Sequence, residues 1–176
     1  MRPLLPAIFA LALCAAPALA FDDSDASAVR SKVADFESAV RSQNYSVFFD
    51  TIPPKMLDFI AEQAQLPPAE LKAAMGAQIQ TAMSSVTIEQ FEIDLDAMET
   101  GDTSSGRGYA IIPTTTTVSV PNIGKTRSTN TTLALEDDGA WYLVRMDNPQ
   151  QIAVLRSVYP DFEGIVFPQG TMEAVQ

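Results

Sequence analysis

The stretch Leu133-Ala134-Leu135-Glu136-Asp137-Asp138-Gly139-Ala140-Trp141-Tyr142-Leu143-Val144-Arg145-Met146 constrains the fold more than any other part of this chain. Two apolar-rich runs flank a turn of acidic residues and Gly, the short-range signature of an antiparallel hairpin. Read as a three-residue loop, Asp137-Asp138-Gly139 forms a type I turn closed by a left-handed Gly with a G1 bulge. That loop pairs Glu136 with Ala140, Leu135 with Trp141, Leu133 with Leu143 and Thr131 with Arg145. The other face pairs Ala134 with Tyr142 and Thr132 with Val144, with Met146 beyond. Both faces are substantially apolar, so the hairpin belongs within a sheet covered on both sides. The chain's own helices supply one cover, and the other is the functional question: a ligand, a second copy of the sheet, or the C-terminal helix.

The N-terminal residues read as an export signal. Arg2 precedes an uncharged run from Leu4 to Ala16, and Ala18-Leu19-Ala20 is a small-residue cleavage site before Phe21-Asp22-Asp23. Pro6, Pro17 and the lack of a following positive cluster argue against an uncleaved anchor, and bulky Leu13 before Cys14 argues against lipid attachment. The expectation is a periplasmic or secreted protein cleaved near Ala20, with no stable membrane insertion afterwards. Cleavage removes the single Cys, so no disulfide forms and the mature domain depends on its core. It also removes Arg2, leaving 10 Lys and Arg against 22 acids, a balance of −12 that disfavours nucleic acid and anionic surfaces. No His is present, which excludes Ser-His-Asp and Cys-His catalysis and His-ligated zinc. No cofactor is expected.

The remaining pattern divides into helices and then strands. Val29, Val33, Phe36 and Val40 make one stripe of a helix over residues 25–42, with acids at its start and Arg41 at its end. Tyr45 to Ile52 reads as a short helical turn, Pro54 starts a second helix, and Pro67-Pro68 separates it from a third carrying Leu71, Met75, Ile79 and Val86. From Thr87 the period becomes two: Phe91, Ile93, Leu95 and Ala97 alternate with Glu92, Asp94 and Asp96. These three carboxylates are weak candidates for a hard cation, but the EF-hand spacing fails, and a wet face paired with Arg107, Arg127 or Arg145 is the ordinary expectation. Pro113 predicts a bulge or edge in the next strand, and Pro121-Asn122-Ile123-Gly124 turns it back toward the opening hairpin. Asn148-Pro149-Gln150-Gln151 starts a last helix carrying Ile152, Leu155 and Tyr159, followed by a short strand over 162–167. The expected fold class is α+β: N-terminal helices packed on a curved antiparallel sheet of about four long strands, plus a C-terminal helix. Residues 21–170 form one domain, and 171–176 are expected to be a disordered tail.

Three helices, then a meander of long bent strands, with Gly139-Ala140-Trp141-Tyr142 in the last hairpin, resemble the NTF2-like (cystatin-like α+β) superfamily over roughly Ser24 to Met146. The resemblance implies a cone-shaped pocket between sheet and helices, and often dimerisation through the outer sheet face. Its enzymes place an Asp, Tyr or His in the cone, which here leaves Asp94, Tyr109 and Tyr142. An Asp base with a Tyr oxyanion donor suffices for proton abstraction beside a carbonyl.

Three function classes follow. The first is a non-catalytic exported domain that binds an apolar small molecule or a protein partner, with Tyr109, Ile111, Leu133, Leu135, Trp141, Tyr142 and Leu143 lining the site. The second is a small isomerase or dehydratase using Asp/Tyr acid–base chemistry. The third is a structural cell-envelope interaction protein, including a homodimer.

Overall fold

The structure is a computed structural model that describes residues 21–175, so the export signal expected over 1–20 lies outside the described residues. Helix α1 (Asp23–Arg41) begins at Asp22, whose carboxylate accepts the Ser24 and Asp25 N–H groups while Asp25 returns the bond in a capping box. Its stripe buries Val29, Val33 and Val40 as the spacing predicts. A 3-10 turn at Tyr45–Phe49 leads to α2 (Pro54–Ala64) and α3 (Pro68–Met83), each with Pro in its first turn. Only Leu71 of α3 is buried, so that helix lies mostly in solvent.

The strands follow: β1 (Thr87–Ile93), β2 (Glu99–Asp102), β3 (Gly108–Val120), β4 (Gly124–Asp137) and β5 (Ala140–Arg145). Helix α4 (Pro149–Val158) and β6 (Thr171–Val175) complete the chain. The sheet is antiparallel and curled into a half-barrel, with main path β1-β3-β4-β5. Short β2 pairs with β3, and β6 pairs with β4. The architecture is α+β, as the pattern predicts. Gly101 lies opposite Tyr109, and a Cβ there would come within 2.7 Å of the phenol oxygen, so only Gly admits the ring.

Several local expectations are corrected. The hairpin turn has two residues rather than three: Asp138 and Gly139 both adopt positive φ, 51° and 78°, and Asp137 pairs with Ala140. Asp tolerates the left-handed region, and a two-residue turn of this hand matches the twist of its strands. Every pair therefore shifts by one, with Leu135 opposite Tyr142, Leu133 opposite Val144 and Thr132 opposite Arg145. A one-residue slip moves Trp141 and Leu143 to the opposite face from Leu133 and Leu135.

Of the bulge or edge that Pro113 predicts, the edge forms: β3 runs through it without a bulge, and on one side no strand pairs with it. The Pro113 carbonyl accepts the Asp94 N–H on the side where β2 and β1 leave a gap, so its missing donor falls where no partner strand needs it. The alternation expected through Ala97 ends at Ile93, where Asp94 caps a 3-10 turn over Leu95–Ala97. Residues 160–162 form another 3-10 turn and no strand follows over 162–167. Thr171–Val175, expected within a disordered tail, is instead the paired strand β6.

Two cores result, one on each sheet face. Val29 and Val33 of α1 pack with Ile93, Ala110, Ile112, Ala134, Trp141 and Leu143. On the opposite face Leu133, Leu135, Val144 and Met146 meet Met56 of α2, Leu155 of α4, and Tyr159, Phe162 and Phe167 beyond it. The second apolar face of the hairpin is thus covered by the chain's own C-terminal segment.

Candidate functional site

The seven residues expected to line a ligand site do not converge. Leu133, Leu135 and Tyr142 share the face of Tyr109 and Ile111, whereas Trp141 and Leu143 lie on the α1 face. Trp141 is 9% exposed and meets Phe21 edge-on at 5.4 Å between centroids. It is a core anchor. The other sheet face is occupied by aromatic side chains: Phe162 is fully buried, 5.7 Å from the Tyr109 ring and 6.5 Å from that of Phe167.

A shallow cleft of about 120 Å³ lies beside this core, between Ile111, Pro113 and Thr131 of the sheet and Pro168-Gln169 of the C-terminal segment. Ile111 alone of the seven expected residues lines it. It falls well below the roughly 300 Å³ at which small-molecule sites begin.

The acid–base reading fares no better in geometry. The Asp94 carboxylate accepts the Asp96 and Ala97 N–H groups and is exposed at the end of β1. Tyr142 stands on β5, three strand spacings away, or about 14 Å at the usual separation. Glu92, Asp94 and Asp96 are all exposed, so the acidic face is wet as expected, but Glu92 bonds Gln90, and Arg107, Arg127 and Arg145 pair with other acids. Glu92, Asp94 and Asp96 hold no common site, and among the described residues no cluster of three potential ligands stands together.

Sequence reasoning missed a different constellation, where the hairpin turn meets the C-terminal segment. Asp137, 3% exposed, accepts Lys55 Nζ at 2.8 Å and Arg107 Nη1 at 3.1 Å on one oxygen, and the Tyr159 hydroxyl at 3.0 Å on the other. Arg107 also donates through Nε to Asp161 at 3.1 Å and through Nη1 to the Glu136 carbonyl at 2.6 Å, and its guanidinium lies 4.7 Å from the Tyr159 ring centre. Thr103 and Ser105 donate their hydroxyls to Asp161 at 2.8 and 2.6 Å. The cluster therefore ties α2, the β2–β3 turn, the β4–β5 turn and the end of α4 together.

Its electrostatics suit a latch. Burial pushes the Asp137 carboxyl up, but the bonds from Lys55, Tyr159 and Arg107 prevail and hold it below the usual carboxylate range. Asp161 behaves likewise, with Ser105, Thr103 and Arg107 outweighing burial. Burial and the Asp137 charge push the Tyr159 phenol well above its usual value, so it stays a donor. These groups satisfy one another, and none of them lines the cleft beside Ile111. The signals that could have revealed them are the extra acid in Asp137-Asp138 and the lone Arg107 entering β3.

Among the described residues no helix is long and apolar enough to cross a membrane. Comparison with known proteins returns no family model, no curated protein and no solved structure that matches this chain.

Proposed function

We propose that this chain is an exported, non-catalytic domain of the NTF2-like kind that binds a protein partner on its outer surface rather than an apolar molecule within its cone. The curled antiparallel sheet and its helices support the NTF2-like reading. The observation that carries the partner reading is the packing of Tyr159, Phe162 and Phe167 on the sheet face where, in the NTF2-like reading, a ligand would sit. The long β3–β4 hairpin presents an outward alternative. Its tip, Pro121 to Gly124, is exposed, with Ile123 77% accessible. Exposed apolar residues are ordinary singly, but this one crowns the projecting end of the sheet.

A photo-crosslinking amino acid at Ile123, used in the protein's own cell envelope, tests this. A discrete protein-sized adduct at Ile123, with none from the same probe at Tyr142, is the expected result. A lipid-sized adduct at Tyr142 with no protein adduct at Ile123 would overturn it.

A further inference from the structure

The inference concerns the edge of β4 and rests on the protein-partner reading. Strand β4 has two successive neighbours on one side: β5 pairs along Thr132–Asp137, and β6 along Lys125–Thr129. The two differ sharply in how they are held. β5 buries Trp141, Leu143 and Val144, whereas four of the five residues of β6 are exposed, Met172 at 76%. β6 follows Phe167, the last buried side chain, through Pro168-Gln169-Gly170. It is retained by backbone pairing and by one half-exposed ion pair, Arg127 to Glu173 at 3.6 Å. A strand with no buried side chain opens at a small fraction of the global unfolding free energy. When it opens, the edge of β4 is bare, and bare edges pair with extended segments.

We infer that the β4 edge from Lys125 to Thr129 is a strand-acceptor site that takes, antiparallel, an extended segment of a partner protein bearing an acidic residue opposite Arg127, with β6 as its intramolecular occupant. Charge selects this occupant. Arg127 faces Glu173 across the pair, whereas Lys125 on the same face is already held by Glu89, so Arg127 is the cation that selects an acid here, in a chain that is otherwise strongly acidic. The register of β6 gives the ligand's form, with Glu173 between Met172 and Ala174, which point to the opposite face.

Two measurements decide the matter. In the full-length protein, β6 amides should exchange with solvent roughly a hundredfold faster than those of β5; equal protection would overturn the inference even if truncated variants fail to fold. In a variant lacking residues 171–176, a fluorescent peptide copying Gly170–Gln176 should bind saturably while Trp141 emission and cooperative unfolding persist. Arg127→Glu should weaken that binding about fivefold, and a Glu173→Lys peptide should restore it. A folded truncation that binds no peptide would overturn the acceptor site, whereas an Ile123 adduct that persists would leave the partner reading standing. A full-length dimer abolished by the same truncation would overturn the choice of occupant.

Discussion

The Tyr159 hydroxyl donates to Asp137 Oδ2 at 3.0 Å inside the protein, joining the end of α4 to the turn between β4 and β5. This bond ties the C-terminal segment that covers the hairpin's second face to the hairpin's own turn. Replacing Tyr159 with Phe removes only the hydroxyl, and Asp137 keeps Lys55 and Arg107. The expected loss is about 1.5 kcal/mol in urea unfolding with an unchanged m value. Asp137→Ala should cost more, about 2 to 3 kcal/mol, because it removes the charged acceptor shared by Lys55, Tyr159 and Arg107, although Arg107 keeps Asp161.

The same cluster gives a signed pH dependence. Asp137 and Asp161 are both held below the usual carboxylate range, so their contribution is present above about pH 4 and is lost as pH falls through their folded values. Tyr159 and Lys55 are shifted upward, so their contribution is present below about pH 10 and is lost as pH rises. Unfolding free energy measured against pH should fall on the acid side. Asp137→Asn should be less stable at neutral pH and show a shallower acid slope than the parent.

Trp141 provides a test of the α1-side core. Trp141→Ala should destabilise by about 3 to 5 kcal/mol, as for other buried aromatics. Phe21→Ala, which removes the edge-on partner at 5.4 Å, should cost about 1 kcal/mol. A Trp141 variant with near-parent stability would place this side chain outside the core.

The turn itself is testable without disturbing packing. A Cβ on Gly139 would meet nothing within 4 Å, so Gly139→Ala pays only for its positive φ of 78°. The expected loss is about 1 to 2 kcal/mol by thermal or urea unfolding.

Fold class was legible because its signals are local: the α1 stripe, the prolines that open α2 and α3, and the acid-Gly turn. Register was not. Asp137-Asp138-Gly139 supports either a three-residue or a two-residue loop, and the choice depends on Asp137 being drawn inward by Lys55, Arg107 and Tyr159, residues 82, 30 and 22 positions away. No periodicity encodes contacts of that separation. Pro113 marked a local edge, but which strands leave that gap depends on where β1 and β2 end, which no local signal states. The latch was invisible because each member has an ordinary local role: a turn Asp, a strand-entry Arg, a helix-end Tyr.

Tyr159, Phe162 and Phe167 pack on the second apolar face of the hairpin, and the proposed function requires that no apolar ligand sits there. Native mass spectrometry of the protein purified from its own envelope under lipid-retaining conditions tests this most directly. The predicted result is the mass of the polypeptide alone. A stoichiometric adduct of lipid mass that Leu133→Trp removes would contradict it.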